Sequence, residues 1–274
     1  MHIRGVVALA VSVAIIGSGC GPQRSAPETT ADSSATTTAS STASTVAAPA
    51  APACGTVEIP FDPPLSEQHV RCTLRIDEHL SLAVSSDPAW SFTLKSDGTA
   101  TQEFQELTDK IGETGVAPLL ADIDHSGKPV LLVVTGVGGT GGEPMAVWRL
   151  TADEKFVRAG ELFGFRTFYR TPEGFFGNYA HSSASSGGVT LYRWDGDTLA
   201  EVVNLDVQVA GSPSYPSETR EWIHNGNVEC TLNDSDYPPG AAAKRDEAMK
   251  AAGVDPATAA QHFCNQDWVS TLYK

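Results

Sequence analysis

Apolar and polar positions alternate over short distances through the middle of the chain. Runs rich in β-branched and aromatic residues fall at Leu80 to Val84, Trp90 to Leu94, Val130 to Thr135, Met145 to Leu150, Val189 to Trp194 and Ala200 to Leu205. Clusters of Gly, Asp, Asn and Ser separate them, which is the pattern of strands joined by tight connections. Three turns are specific: Ser96-Asp97-Gly98, Asp195-Gly196-Asp197 and Asn225-Gly226. The last predicts a type I′ hairpin, because Asn and Gly both tolerate the positive φ that its central positions require. Near the C-terminus the period changes. Ala241 to Ala252 is rich in Ala, Lys, Glu and Met and stops at Gly253, which predicts a helix. Asp255-Pro256 supplies an N-cap and a first-turn proline for a second helix running to about Asn265. The expected fold is mainly β, an antiparallel hairpin-rich domain with two short C-terminal helices.

Two stretches look alike at a spacing of 44 residues. Gly138 to Gly142 precedes Met145-Ala146-Val147-Trp148-Arg149-Leu150, and Ser182 to Gly187 precedes Val189-Thr190-Leu191-Tyr192-Arg193-Trp194. Each is a small-residue loop, then a strand with an aromatic-Arg pair, then a turn and another strand. A period of this size suits propeller blades. The 221 residues from Cys54 to Lys274 hold only about five such units, so a closed propeller, a partial propeller and an irregular β sandwich all stay open.

The N-terminus has a different character. Arg4 is followed by an apolar run from Gly5 to Ile16 and then by Gly17-Ser18-Gly19-Cys20, the layout of a secretory signal. The run is too short to span a hydrocarbon core, which needs roughly 20 helical residues. Ser18-Gly19-Cys20 resembles the lipobox of bacterial lipoproteins, with Gly17 standing where an aliphatic residue is usual. The resemblance implies lipidation of Cys20 after removal of a signal peptide over residues 1–19, and so an extracytoplasmic protein anchored to the cell membrane. Residues 20–53 are almost wholly Ser, Thr, Ala and Pro after the anchor Cys, a composition that buries too little apolar surface to fold and predicts a tether. Residues 54–274 are then a single folded domain.

Five cysteines is an odd number, and setting Cys20 aside leaves Cys54, Cys72, Cys230 and Cys264 to pair in an oxidising compartment. Three pairings are open. Cys54 with Cys72 and Cys230 with Cys264 is favoured, since each pair is close in sequence and ties down one end of the domain. No C-x-x-C or Cys/His cluster supports a zinc site. The net charge of −15 and the absence of a Lys/Arg stripe argue against nucleic acid as a partner.

Asp122-Ile123-Asp124-His125-Ser126-Gly127, ahead of the strand at Val130, resembles the Asp-rich loops of FG-GAP/VCBS repeats, which often bind Ca²⁺. The resemblance implies Asp122, Asp124 and Ser126 as metal ligands, because alternate residues of a tight loop turn their oxygens inward. Val133 occupies the twelfth position, where a bidentate Glu would be expected. Asp and Gly also make ordinary turns, and that reading stands beside the metal site.

Residues 163 to 179 concentrate Phe163, Phe165, Phe168, Tyr169, Phe175, Phe176 and Tyr179 among Arg166 and Arg170. Such a cluster suits either a core or a binding surface. Arg166, Tyr169, Arg170 and Tyr179 are the candidate ligand-binding residues. Gly136 to Gly142 lacks the Lys-Ser/Thr of a phosphate loop. No G-x-S-x-G or H-E-x-x-H occurs, and His181 beside Ser182 and Ser183 is not a triad without spatial partners. The Ala/Thr/Pro-rich composition is similar to that of exported lipoproteins of actinobacterial type. The expected function is non-enzymatic: an envelope lipoprotein whose β domain binds a protein or small-molecule ligand. An envelope hydrolase with unrecognised catalytic residues is the alternative, and a structural spacer or chaperone-like role for another envelope complex is a third.

Overall fold

Strand alternation sends the two faces of one sheet to two different cores. The computed structural model describes residues 50–59, 69–86, 89–107, 115–212 and 221–273. The signal-like segment, Cys20 and most of the tether lie outside the described residues.

Three antiparallel sheets follow one another along the chain. The first runs in order β1 (Arg71–Arg75), β2 (Leu80–Ser86), β3 (Trp90–Ser96) and β4 (Thr99–Glu106). The second repeats that path with β5 (Leu119–Ala121), β6 (Val130–Val134), β7 (Glu143–Leu150) and β8 (Phe156–Gly164). The third opens in the same way with β9 (Phe168–Arg170), β10 (Phe176–Ser183), β11 (Ser186–Asp195) and β12 (Thr198–Val209). A last hairpin, β13 (Ile223–Asn225) and β14 (Val228–Leu232), then adds β14 to β12, giving the order β13-β14-β12-β11-β10-β9 and a curled six-stranded sheet. The 44-residue self-similarity has a structural meaning here: β7 and β11 are each the third strand of their sheet.

The second sheet is the middle layer. All five side chains of β6 are buried. Leu131 and Val133 join Leu82, Phe92 and Leu94 of the first sheet in one core. Val130, Leu132 and Val134 turn the other way and meet Phe176 and Tyr192 of the third. Each such side chain stabilises the fold by roughly 1.5–3 kcal/mol relative to exposure. The remaining face of the third sheet, with Val189, Leu191, Leu205 and Val207, packs on the C-terminal helices. Three stacked sheets of this kind are closer to a partial propeller than to a two-layer sandwich, because a middle sheet buried on both faces has no place in a sandwich.

A buried carboxylate locks the first sheet to the second. Glu106, at the end of β4, is 6% exposed and accepts from the Trp148 indole at 2.7 Å. Arg158 of β8 pairs with the same Glu106 oxygen at 3.0 Å and with Glu161 at 2.6 Å.

The helices form where the sequence placed them. α1 (Ala241–Ala251) buries Ala248 and Met249. Asp255 accepts from the Ala257 amide at 3.0 Å and so caps a 3₁₀ turn that leads into α2 (Ala259–Cys264), shorter than expected at its start. Both favoured disulfides are present: Cys54–Cys72 ties the segment before β1 to β1, and Cys230–Cys264 ties β14 to α2. One turn differs from expectation. Asn225 pairs with Val228, so the loop residues are Gly226 and Asn227, and only Gly226 has positive φ, at 64°. That is the φ pattern of a II′ turn, whereas Asp97 and Gly98, at 48° and 82°, carry the I′ pattern. Among the described residues no helix is long and apolar enough to cross a membrane.

Candidate functional site

The Asp-rich loop is the connection from β5 to β6, and its own amides close it. The two carboxylate oxygens of Asp122 accept from the amides of Ser126 and Gly127, each at 2.9 Å. Asp124 accepts from the Ser126 amide at 3.1 Å through one oxygen and from the Trp194 indole at 2.7 Å through the other. The Ser126 hydroxyl accepts from the Lys128 amide at 3.3 Å. His125 and Gly127 take the left-handed backbone that so tight a turn demands, with φ of 53° and 81°. Burial alone would raise the Asp124 carboxyl pKa, but hydrogen bonds from Ser126 and Trp194 outweigh it and hold the group below its ordinary value. Among the described residues no three His, Cys, Asp or Glu side chains gather in a metal-binding arrangement. A Ca²⁺ ion at Asp122, Asp124 and Ser126 would share their oxygens with these internal donors.

The loop and the aromatic segment meet. His125 Nε2 lies 3.1 Å from the Phe168 carbonyl, and Arg170 Nη1 donates to the His125 carbonyl at 3.1 Å. The aromatic residues themselves divide between cores. Phe175 faces Phe263 at 5.9 Å, and Phe176 faces Trp194 at 5.2 Å. Of the two tyrosines expected on a binding surface, Tyr179 is buried and Tyr169 half-buried. Tyr179 is 4% exposed, and its hydroxyl, buried with no partner in hydrogen-bonding geometry, has its pKa pushed far up by burial and by the neighbouring Tyr273. Tyr169 stacks on Trp268 at 4.9 Å, and burial raises its pKa as well. The reason is alternation: odd-numbered positions of β9 and β10 face the helices, so these tyrosines fill that core. Arg166 and Arg170 remain exposed.

His181 has no catalytic partners among the described residues. Its imidazole sits between Phe165, Tyr179 and Tyr273, with ring centroids 5.2, 4.9 and 5.9 Å away. Ser183 Oγ lies 2.7 Å from Ser186 Oγ, so that hydroxyl is spent within its own hairpin.

The geometry reveals a different concavity. A groove of about 570 Å³ runs beside the first strands of the sheets. Leu74 and Arg75 come from β1, Leu119 and Leu120 from β5, and Arg166 from the connection leading into β9. Cys54 lies in the groove wall, so the Cys54–Cys72 bridge braces one side. The floor is apolar and the charge is carried by two guanidinium groups. Arg166 Nε pairs with Glu143 at 2.9 Å, and Arg75 Nε donates to the Asp77 carbonyl at 3.0 Å, which fixes both heads while leaving other N–H groups for a ligand. Of the lining residues, only Arg166 was singled out in the sequence; Leu74 and Arg75 of β1 and Leu119 and Leu120 of β5 lie on two separated edge strands with no motif in common.

No protein-family model and no curated protein matches the chain. Among solved structures the chain is similar to one described as "Structure of a Xanthomonas Type IV Secretion System related protein", at 11% identity and a TM-score of 0.33, over 55% of this chain and 92% of that one. At that TM-score nothing about this protein follows from the likeness.

Proposed function

We propose that this protein is a non-enzymatic envelope lipoprotein, anchored outside the cytoplasm through Cys20, whose β domain binds a small ligand in the groove beside β1 and β5. The observation that carries the reading is the composition of the groove: apolar walls from Leu74, Leu119 and Leu120 with Arg75 and Arg166 at one concavity. Apolar walls with a few placed polar groups are what small-molecule sites have, and guanidinium forks suit a carboxylate. The ligand class is therefore an apolar body ending in a carboxylate. The two disulfides agree with an oxidising compartment.

Calorimetric titration of the full chain with decanoate and with decanol tests the groove. Decanoate is expected to bind saturably, and Arg166→Ala and Arg75→Ala to weaken it by about tenfold each, roughly 1.4 kcal/mol, with decanol unaffected. No saturable decanoate binding, or wild-type affinity for decanoate in both arginine variants, overturns it. For the anchor, Cys20→Ala is expected to move the protein to the soluble fraction; unchanged membrane association overturns that half of the proposal.

A further inference from the structure

A second concavity, of about 340 Å³, lies between β12, the segment after β14 and α1. Its lining differs in kind from that of the groove. Tyr237 stands at it 85% exposed, the most exposed large apolar side chain among the described residues. Lys244 of α1 is exposed, and its ammonium group makes no ion pair or hydrogen bond with the described residues. Arg245 beside it is held in place by donating from Nη1 to the Ser235 carbonyl at 3.0 Å. On the β12 side, Asn204 donates to Glu201 at 2.6 Å and accepts from Thr190 at 2.7 Å, so an amide and a carboxylate are presented in fixed orientation.

We propose that this concavity binds a sugar that carries a carboxylate, a uronic acid unit. An exposed aromatic face beside a cavity suits the C–H face of a pyranose ring, which is apolar on one side and ringed by hydroxyls at its edge. Oriented amide and carboxylate groups such as Asn204 and Glu201 are the partners that sugar hydroxyls need. Neither feature explains the unpaired Lys244 ammonium beside Arg245, which already faces the Ser235 carbonyl and the Asp236 carboxylate, in a chain of net charge −15. A carboxylate on the sugar does, since it gives Lys244 and Arg245 a charge-assisted partner. A neutral sugar leaves Lys244 without a partner, and a purely apolar ligand makes no use of the amide and carboxylate. The site shares no lining residue with the groove, so its fate is independent of the function proposed above.

The test is titration of the full chain with glucuronate, its methyl ester and glucose. Glucuronate is expected to bind saturably, with the two neutral sugars about tenfold weaker. Lys244→Ala should remove the preference for the acid while leaving the neutral sugars unchanged. Tyr237→Ala should weaken all three. Both side chains are exposed, so thermal melting should stay at the wild-type value in either variant. Retention of the protein on polygalacturonate would assign the ligand to a glycan, and binding of the monosaccharide alone would assign it to free sugar. Absence of saturable glucuronate binding, equal affinity for acid and ester, or no effect of either substitution overturns the proposal.

Discussion

The indole of Trp194 donates to Asp124 at 2.7 Å across 70 residues of sequence, joining β11 of the third sheet to the connection that leaves β5 of the second. Arg149 stacks over the same indole at 4.2 Å, so the ring is held from two directions by the second sheet. A loop whose residues resemble a cation-binding motif thus works as a clasp between layers.

Removing that clasp has a defined cost. Asp124→Ala leaves the Trp194 N–H without its acceptor, while the Ser126 amide keeps Asp122, and should destabilise the fold by roughly 1–3 kcal/mol. The melting temperature of the wild type should be the same in Ca²⁺ and in chelator, because only two carboxylates face this loop and no third metal-ligating side chain gathers with them among the described residues. A Ca²⁺-dependent rise that Asp124→Ala abolishes would show a metal site instead. The pH dependence follows from the lowered carboxyl pKa. A carboxylate that ionises more easily in the folded state stabilises above its unfolded pKa, and that stability is lost as pH falls through the folded value. Asp124→Asn should therefore flatten the acid limb of the stability curve, measured by denaturant unfolding between neutral pH and the carboxylate range.

His79 gives the opposite sign. Its ring meets Asp97 at 2.9 Å, and the hydrogen bond and charge of Asp97 raise its pKa above 6.5. The ion pair contributes below the unfolded pKa and fades as pH rises through the raised value. Both groups are solvent-exposed, so the effect belongs to the titration curve rather than to global stability. An NMR titration should find His79 titrating above 6.5, and Asp97→Asn should bring it down; an unchanged midpoint in that variant would separate the pair.

Which strands were readable depends on where they sit. All six apolar runs recognised in the sequence became interior strands: β2, β3, β6, β7, β11 and β12. The margin strands β1, β4, β5 and β9 went unrecognised, while β8 and β13 were implied only by the turns beside them. β4 shows why: of its eight residues only Glu106 is buried, so it carries no alternating apolar signal. β5 and β9 are three residues each. β10 was hidden for another reason, since Gly177 and Asn178 interrupt its apolar pattern. A methyl group at Gly177 would lie 1.8 Å from the Thr190 carbonyl oxygen, so glycine is needed there for close strand approach. The candidate groove is built from margins, and so the part of the chain that forms it was the part least legible. The disulfides, the helices and the Asp255 cap were legible because each depends on local sequence.

Glu106 should be among the most sensitive polar positions. Its carboxylate is 6% exposed and receives both the Trp148 indole and the Arg158 guanidinium. Glu106→Ala strands two donors, one of them charged, and should cost roughly 2–4 kcal/mol. Glu106→Gln keeps an acceptor for the indole and should cost less. A double-mutant cycle with Arg158→Ala should show coupling of about 1 kcal/mol or more. Additivity would mean that the pair contributes nothing to holding the first two sheets together.

The Cys230–Cys264 bridge decides whether the helices stay on the sheet. α2 is six residues long, far below the length at which a helix persists alone, so its stability must come from packing and from the bridge. The bridge closes 34 residues of chain, which corresponds to roughly 4 kcal/mol of unfolded-state entropy. Phe263 and Cys264 are both fully buried, in one core with residues of β14 and its neighbours. Replacing both cysteines with Ser should therefore lower the unfolding free energy by roughly 2–4 kcal/mol. Amide exchange separates this from a uniform loss of stability. Exchange should accelerate first in α1 and α2 and in β13, while β6 and β7 in the middle sheet keep protection close to the global limit. Equal acceleration in β6 and α2 would mean that the helices and the sheets unfold as one unit, and that the bridge staples nothing that packing does not already hold.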